Sequence, residues 1–336
     1  MSTLAKYIIK RFIFFLLTIL IGITILFLIS RLTPINPIDL LMSKLSAQGA
    51  QITQEQFDSI KNTFMKLYGL DKPLLGQYLS FLQGLSVGDL GPSFSFFPKP
   101  VSELIYDSMP WSIGLLATVV LISWIVGNFV GCITGFFSQK KLSKVLEGIF
   151  LVLYPMPYVV MALLIVMLFI YFIPIFPYFG GAPIGITRAF SLKYFVGIIR
   201  HAFLPAISVI LISMGGWFLS MRALTINTKT ENFVEFAELR GLPRRKIMFG
   251  YVMRNCLLPQ ITGLALTLGF IFNGSLVTEY IFAYPGLGYL MYYAITNGDL
   301  NLMTGVAFFA LLAISTATLL VEFMLPLIDP RIRYGE

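Results

Sequence analysis

The chain has 336 residues, of which 57% are hydrophobic and 12% are charged, and its net charge is +8. A soluble domain of this length does not need so many apolar residues, so the composition argues against a soluble globular class and is typical of a membrane protein. The basic residues flank apolar runs and form no separate patch, which argues against a nucleic-acid-binding protein.

Six apolar runs are each long enough to cross about 30 Å of hydrocarbon as a helix, which takes roughly 20 residues. They cover residues 12–30, 111–137, 148–173, 202–221, 256–278 and 300–321. The first run is too long for a typical signal-peptide core and no Ala-x-Ala-like site follows it, so we interpret it as a retained span. The predicted fold class is an all-α membrane protein with six transmembrane helices.

The distribution of lysine and arginine predicts the orientation of these spans. With the N-terminus inside, the two shorter outer loops hold only Arg188, Lys193 and Arg200, and most other basic residues fall in inner segments. Both termini are therefore predicted to be cytoplasmic. The chain divides into an N-terminal end with the first span (1–30), an extracytoplasmic helical loop (31–110), and a five-helix core (111–336) whose inner loop covers residues 222–255.

The loop after the first span is too long for a simple connector and carries two helical patterns. Thr53 and Gln56 fit a capping box, and the apolar spacing that follows ends at Gly69. Pro73 suits the first turn of a second helix, which we expect to end at Gly84. These helices lie in the membrane interface, pack on the spans or receive a partner, and the pattern alone leaves the three options open.

Prolines interrupt several of the spans. They are Pro155 and Pro157 in the third, Pro205 in the fourth, and Pro259 at the start of the fifth. Each removes a backbone donor and tends to kink its helix. The kinks either help the bundle to pack or mark helix ends that line a pathway, where a wet cavity satisfies the freed carbonyl groups.

The inner loop between the fourth and fifth spans contains the sequence NFVEFAELRGL at 232–242. Phe233, Ala237 and Gly241 fall four residues apart on one helical face, and Val234 lies next to that face. A large aromatic side chain beside small residues suits docking into the groove of a partner. The alternative is an amphipathic helix lying flat on the bilayer, with the basic residues 244–246 on anionic headgroups. Spacing alone does not choose between them.

Residues 232–259 resemble the cytoplasmic coupling loop of ATP-binding-cassette (ABC) importer permeases of the dipeptide, oligopeptide and nickel family. The matching features are the pair Phe233-Val234, Ala237 four residues before Gly241, Arg240 before that glycine, Gly241-Leu242, a basic cluster, Arg254-Asn255, and Leu257-Leu258-Pro259. Further matching elements are RLTPINP at 31–37, YGLDKP at 68–73, GDLGPS at 88–93, Thr278-Glu279 with Phe282, PGLG at 285–288, and DPRIR at 329–333. The resemblance covers essentially the whole chain, although the family often shows Pro-Gly-Asp-Pro within the first of these elements.

The resemblance implies an assembly in the cytoplasmic membrane of a prokaryote. Two such permeases, here a heterodimer, pair around one pathway, two cytoplasmic ATPases grip their coupling helices, and an extracytoplasmic binding protein delivers the substrate. The chain itself is then not an enzyme and holds no cofactor, since ATP and Mg are bound by the ATPases; its sequence contains no phosphate-binding loop motif. The residues implied in coupling to the ATPase are Asn232, Phe233, Val234, Ala237, Arg240, Gly241 and Leu242.

The resemblance also implies an outer gate or binding-protein contact between the last two spans. Its residues are Glu279, Phe282, Pro285, Gly286 and Gly288. The aromatic residues around them are equally typical of an interfacial belt. Glu322 interrupts the apolar run near the inner end of the last span, and it is a gate residue, a partner of an arginine such as Arg222, or a solvated residue near the headgroups.

Peptides are the predicted substrates, with oligosaccharides as the alternative for the same kind of transporter. Nickel ranks lower because no cluster of His, Cys or carboxylate residues lines a predicted span. An ion-coupled secondary transporter predicts inverted repeats and paired acidic groups at mid-membrane, and a membrane-embedded enzyme needs clustered acid–base or metal-binding residues; the sequence shows neither pattern. His201 is predicted to be interfacial, and Cys132 and Cys256 to be small hydrophobic residues without a disulfide.

Overall fold

The computed structural model describes residues 3–33, 53–67, 71–183, 191–269 and 275–328, and the regular elements in these ranges are all helices. The helices are α1 (Thr3–Leu32), α2 (Gln54–Leu67), α3 (Leu74–Val87), α4 (Val101–Phe136), α5 (Lys141–Leu153), α6 (Tyr158–Val166, continued as a π-helix over Met167–Phe172), α7 (Leu192–Thr228), α8 (Asn232–Leu239), α9 (Arg244–Lys246, continued as a π-helix over Ile247–Met253), α10 (Arg254–Gly269), α11 (Leu276–Ile281), α12 (Leu287–Asn297) and α13 (Leu300–Ile328). Gly69 and the elements 34–37 and 329–333 lie outside the described residues.

Within the described ranges, four helices are long and apolar enough to cross a membrane, and a bent pair of helices adds a fifth candidate. The four stretches are Tyr7–Leu32, Val101–Phe136, Leu192–Thr228 and Leu300–Phe323. Helices α4 and α7 have 36 and 37 residues, more than the roughly 20 that a membrane requires, so both extend beyond the predicted runs. The described parts of the predicted fifth span lie in the 16-residue α10 and at the start of the short α11. The predicted span over 256–278, and with it the count of six, therefore stays a prediction, as does the orientation of the termini.

The run predicted as one continuous span at 148–173 is instead two helices. Helices α5 and α6 meet at an angle of 102°, and Pro155 and Pro157 lie in the break between them. Pro157 has extended backbone angles, with φ −60° and ψ 138°, and directly precedes α6. Two prolines so close together remove backbone donors and clash with the preceding turn, which ends one helix and allows the next to start in a new direction.

Helices α4 and α7 pack closely because glycines line the face of α4 that meets α7. Gly127, Gly131 and Gly135 are four residues apart and therefore share one face. A Cβ atom on Gly131 would lie 2.6 Å from the carbonyl oxygen of Phe218, and one on Gly135 would lie 2.8 Å from that of Arg222. Small residues at this spacing let two membrane helices approach backbone to backbone.

The outer helices confirm one predicted cap and correct another. The Thr53 amide donates to the Gln56 side chain at 3.1 Å, and the Gln56 amide donates to the Thr53 hydroxyl at 3.4 Å, which is the predicted capping box. Helix α3 does not end at Gly84 but continues for three more residues, to a left-handed cap at Gly88 with φ 75°. The Asp89 amide donates back to the Gly84 carbonyl at 2.9 Å, so Gly84 lies within the capped last turn.

Helix α3 packs on the first span, which resolves one of the options left open by the sequence. The hydroxyl groups of Tyr78 and Thr24 lie 2.8 Å apart. The ring of Tyr78 meets that of Phe27 edge-on, with centroids 5.1 Å apart.

Two ion pairs connect long helices near the predicted inner side. Arg11 of α1 donates to Glu322 of α13 at 2.8 Å. Arg222 of α7 donates to Glu147 of α5 at 2.7 Å. Glu322 therefore does pair with an arginine, which was one of the three options, but the arginine is Arg11 and not Arg222, because Arg222 has Glu147 as its own partner.

Candidate functional site

The inner loop forms the eight-residue helix α8, and one face of α8 is packed against the rest of the chain. Val234 and Ala237 are only 1% and 3% exposed. They join a buried apolar cluster with Cys132, Phe136, Met221, Ile247, Met248, Val252 and Cys256. These partners come from α4, α7, the π-helical segment after α9, and α10. Helix α8 is thus held in place by side-chain packing in a core that it shares with other helices, and not by its flanking loops alone.

Beside and opposite the buried residues, α8 presents three large apolar side chains to the surroundings. Phe233 is 38% exposed, Phe236 is 65% exposed and Leu239 is 76% exposed. Spacings of three residues place them on neighbouring positions of a helical surface. Large exposed apolar patches usually mark interaction sites. We call Phe233, Phe236 and Leu239 the outward face of α8.

The structure separates residues that the sequence pattern had grouped together. Phe233, Val234 and Ala237 were predicted to form one docking surface, but Val234 and Ala237 point into the chain's own core. Phe236 and Leu239, the two most exposed apolar residues of α8, were not among the predicted coupling residues. The available signal was a second phenylalanine three residues after the first, within a short helix on the predicted aqueous side.

The turn that ends α8 has a specific geometry that depends on glycine. Gly241 has a φ of 70°, in the left-handed region that favours glycine. The Leu242 amide donates to the Ala237 carbonyl at 3.3 Å, and the Gly241 amide donates to the Glu238 carbonyl at 2.9 Å. This pair of hydrogen bonds defines a Schellman motif. The Leu242 side chain packs against the same cluster as Ala237, so Gly241 and Leu242 together fix the exit of the helix.

A second contact fixes the chain just before α8. The Lys229 ammonium group donates to the Phe136 carbonyl at 3.1 Å and lies 5.0 Å from the centre of the Phe136 ring. A cation at the C-terminus of a helix interacts favourably with the helix dipole, and here the helix is α4. The inner ends of α4 and α7 are thus joined directly at the base of α8. Asn232 and Arg240 are both exposed at the two ends of this helix.

The outer loop is organised around one buried carboxylate. Glu279 is 0% exposed. It accepts hydrogen bonds from the Ser112 hydroxyl at 2.7 Å and from the amides of Gly288 at 2.7 Å, Tyr289 at 3.2 Å and Ser275 at 3.4 Å. Burial raises the pKa of Glu279, while these four donors oppose that shift. The carboxylate also lies at the N-terminus of α12, where the helix dipole favours negative charge.

The glycines of this loop are needed because other groups pass close to their backbone. A Cβ atom on Gly286 would overlap the Glu279 carboxylate and the Ser112 hydroxyl. One on Gly288 would lie 2.6 Å from the Leu276 backbone. The Ser112 hydroxyl additionally accepts from the Leu287 amide at 2.8 Å. We call this assembly the Glu279 lock, comprising Glu279, Ser112, Gly286, Gly288 and the first turn of α12.

The remaining outer residues predicted from the resemblance lie around the lock. Phe282 is 2% exposed and packs among residues of α6 and α7. Pro285 is half-buried and close to Gly181, whose Cβ would lie 2.8 Å from the proline ring. The structure therefore brings the five predicted residues together, but mostly in the interior. Ser112, on α4, was missed because it is 167 residues from Glu279 in sequence.

A second buried carboxylate, Asp299, holds the GDLGPS element (88–93) in place. Asp299 is 0% exposed and caps α13 by accepting from the Leu302 amide at 3.0 Å. Its other oxygen accepts from the Ser93 hydroxyl at 2.5 Å and from the Ser95 amide at 2.8 Å. The segment that leads into α4 is thus held against the start of the last long helix.

Other candidate residues have ordinary structural partners. His201 lies with Nδ1 2.8 Å from the Gly197 carbonyl oxygen, and Cys132 and Cys256 are free and buried. In the part of the chain that the structure describes, no group of three or more His, Cys, Asp and Glu residues is arranged to hold a metal ion.

The architecture is that of a multi-pass helical membrane protein that carries a short, core-anchored helix between two long ones. A family profile described as "Binding-protein-dependent transport system inner membrane component" matches residues 127–334. The chain belongs to this family, the permeases of ABC importers. The matched region contains both α8 and Glu279.

Individual relatives align over nearly the entire chain. The oligopeptide transport system permease protein OppB of Haemophilus influenzae is 28% identical, covering 98% of this chain and 99% of its own length. The oligopeptide transport system permease protein AppB of Bacillus subtilis is 29% identical, covering 98% and 100%. The probable D,D-dipeptide transport system permease protein DdpB of Escherichia coli is 26% identical, covering 95% of each chain.

Proposed function

We propose that this chain is the transmembrane permease subunit of an ATP-driven importer that takes peptides from an extracytoplasmic binding protein across the cytoplasmic membrane of a prokaryote. Family membership and the names of the full-length relatives, which refer to oligopeptides and a D,D-dipeptide, support this proposal. The structural observation that carries it is the outward face of α8.

The outward face is the surface on which we place the ATPase. Burying apolar surface stabilises by about 25 cal/mol per Å², so Phe236 and Leu239 gain most from a partner groove that covers them. A movement of the ATPase reaches the spans only if α8 is held rigidly against them. Val234 and Ala237 provide this rigid contact, because both pack in the apolar core shared with the long helices. A helix that used the bilayer as its apolar partner would not need this internal packing.

The remaining subunits follow from the family. A second, homologous permease completes the pathway, and two ATPase subunits bind ATP and Mg and hydrolyse the nucleotide. The Glu279 lock is the proposed outer gate, or the base of the contact with the binding protein. Because the lock ties α12 to both α11 and α4, we expect this region to move as one body.

Reconstitution tests the function directly. The chain, its partner permease and its ATPases are placed in proteoliposomes and supplied with the cognate binding protein and a radiolabelled tripeptide. We expect uptake that depends on ATP and disappears with an ATPase unable to hydrolyse it. Uptake driven by an ion gradient without ATP contradicts the proposal, and uptake of maltotriose but not of the tripeptide assigns oligosaccharides instead.

A further inference from the structure

A groove of about 770 Å³ lies between the outer halves of α4 and α7. This volume falls within the range of roughly 300–1,000 Å³ that is common for small-molecule sites. Its walls come from Trp111 and Gly114 on α4 and from Tyr194 and Phe203 on α7, and Tyr284 of the outer loop reaches it. The groove therefore lies beside the Glu279 lock, because Tyr284 is in the same loop as the lock.

The mouth of the groove carries a carboxylate that forms no ion pair with any residue in the described part of the chain. Asp107 is the one charged residue among the described residues that line the groove. It is exposed and, within the described ranges, takes part in none of the ion pairs of the protein. The basic residues at the outer end of α7, Lys193 and Arg200, line a different cavity together with His201. No nearby cation from that helix therefore occupies the groove.

Below its mouth the groove is apolar. Asp107 lies one helical turn before Trp111, where the predicted span begins. Farther down, Ile122 and Ile207 line the walls, and the hydroxyl of Thr118 donates to the Gly114 carbonyl at 2.7 Å and so is already satisfied. A ligand that fits both parts has a positive end and an apolar body.

We infer that this groove binds the amino-terminal end of a peptide substrate, with the α-ammonium group at Asp107 and an apolar side chain between α4 and α7. The inference rests on the proposed function and specifies which part of the substrate this subunit recognises. Hydrogen bonds between ionised groups are stronger than neutral ones, and the adjacent aromatic rings of Tyr106 and Trp111 are suited to contact a cation. A neutral sugar offers Asp107 hydroxyl donors but no positive charge, so it lacks the charge-assisted hydrogen bond that an ammonium group makes.

Peptide binding to the assembled permease–ATPase complex in nanodiscs, without the binding protein, tests the recognition of the amino terminus. The probes are Ala-Phe-Ala and its N-acetyl form, and the signal is tryptophan fluorescence, since Trp111 lines the groove. We expect the free peptide to bind with a Kd roughly tenfold lower than the acetylated one. Asp107→Asn removes this preference, whereas Glu103→Gln, one turn earlier, retains it. Equal binding of the two peptides to the wild type, or an unchanged preference in Asp107→Asn, overturns the inference.

Filling the apolar part provides an independent test. A Cβ atom on Gly114 meets no atom within 4 Å, and the same holds for Gly148, which lies on α5 away from the groove. Gly114→Leu places a large side chain in the groove and also improves helix propensity. We expect Gly114→Leu to reduce binding of Ala-Phe-Ala at least tenfold, with the complex still assembled, and Gly148→Leu to leave binding unchanged.

The outcomes distinguish this inference from the proposed function. If Gly114→Leu prevents the two permeases from assembling, the groove is an interface between subunits and the inference is wrong. If the reconstituted wild type takes up tripeptides but the nanodisc complex shows no binding, the inference fails and the proposed function stands. If the wild type takes up no peptide, the proposed function fails with it.

Discussion

Two short regions between the long helices, α8 and the Glu279 lock, differ in what they bury and what they expose. At the inner side, α8 buries its small residues in the chain's own core and leaves Phe236 and Leu239 exposed. At the outer side, the Glu279 lock buries a carboxylate and satisfies it with four donors from three segments of the chain. An exposed apolar face suits a surface that another subunit must cover, whereas a buried, fully bonded charge suits a loop whose shape must not change.

The difference predicts how substitutions in the two regions will behave. Changes in the lock act on the stability of this chain, because removing one partner leaves other buried polar groups unsatisfied. Changes on the outward face of α8 act on assembly with the ATPase and leave the isolated chain intact.

The largest effect on stability is expected for Glu279→Gln. The amide keeps one acceptor oxygen but places donor hydrogens against the amides of Gly288 and Tyr289, so the network loses about 3 kcal/mol. The measurement is the thermal unfolding midpoint of the detergent-solubilised protein, followed by tryptophan fluorescence. The matched control is Glu103→Gln, whose half-exposed carboxylate pairs with Lys99 on the surface. Equal midpoints for the two variants contradict the role of the lock.

A smaller effect is expected for Val234→Ala. The side chain is 1% exposed, and removing its methyl groups leaves a cavity under α8 that lowers stability by about 2 kcal/mol. The same thermal measurement applies. Phe236→Ala serves as the comparison, because its side chain is 65% exposed, and its midpoint should match the wild type. A larger fall in the midpoint for Phe236→Ala than for Val234→Ala would mean that Phe236, and not Val234, faces the core.

Gly241→Ala should have a smaller effect still. An alanine at a φ of 70° is strained by about 1 kcal/mol, which loosens the Schellman motif. We expect faster trypsin cleavage after Arg240, measured by mass spectrometry of limited digests. Gly250→Ala is the control, since a Cβ atom there meets no atom within 4 Å and Gly250 is not among the positive-φ glycines. Unchanged cleavage in Gly241→Ala argues against a fixed exit from α8.

The smallest effect is expected for Arg11→Gln. The side chains of the Arg11–Glu322 pair are 40% and 25% exposed, and exposed pairs contribute about 0–1 kcal/mol. The midpoint should fall slightly at low salt and not at all at high salt, because ions screen the pair. A fall as large as that of Glu279→Gln would show that Glu322 is as tightly integrated as the lock.

Local features of this fold were readable from the sequence because they depend on neighbours in the chain. The capping box of Thr53 and Gln56 is complete within four residues. Pro155 and Pro157 marked the position of the break between α5 and α6, although not its angle, which depends on how α6 packs against α7. The end of α3 was placed too early because Gly84 and Gly88 both resemble a cap, and only the backbone geometry distinguishes them.

The site itself was only partly predictable, because its contacts join distant parts of the chain. The Ser112–Glu279 hydrogen bond spans 167 residues, and no local pattern indicates it. The two faces of α8 are both partly apolar, so periodicity could not decide whether Val234 or Phe236 points inward. That choice is made by the cluster around Met221 and Val252, which the sequence alone does not assemble.

ATPase affinity is the most direct measure of whether the outward face of α8 is where the ATPase binds. Purified ATPase is titrated onto the nanodisc-embedded permease pair carrying either Phe236→Asp with Leu239→Asp, or the control Leu142→Asp, an equally apolar and 68% exposed position on α5. We expect the double variant to bind at least about a hundredfold more weakly with an unchanged unfolding midpoint, and the control to bind normally. Normal ATPase binding by the double variant would contradict the account.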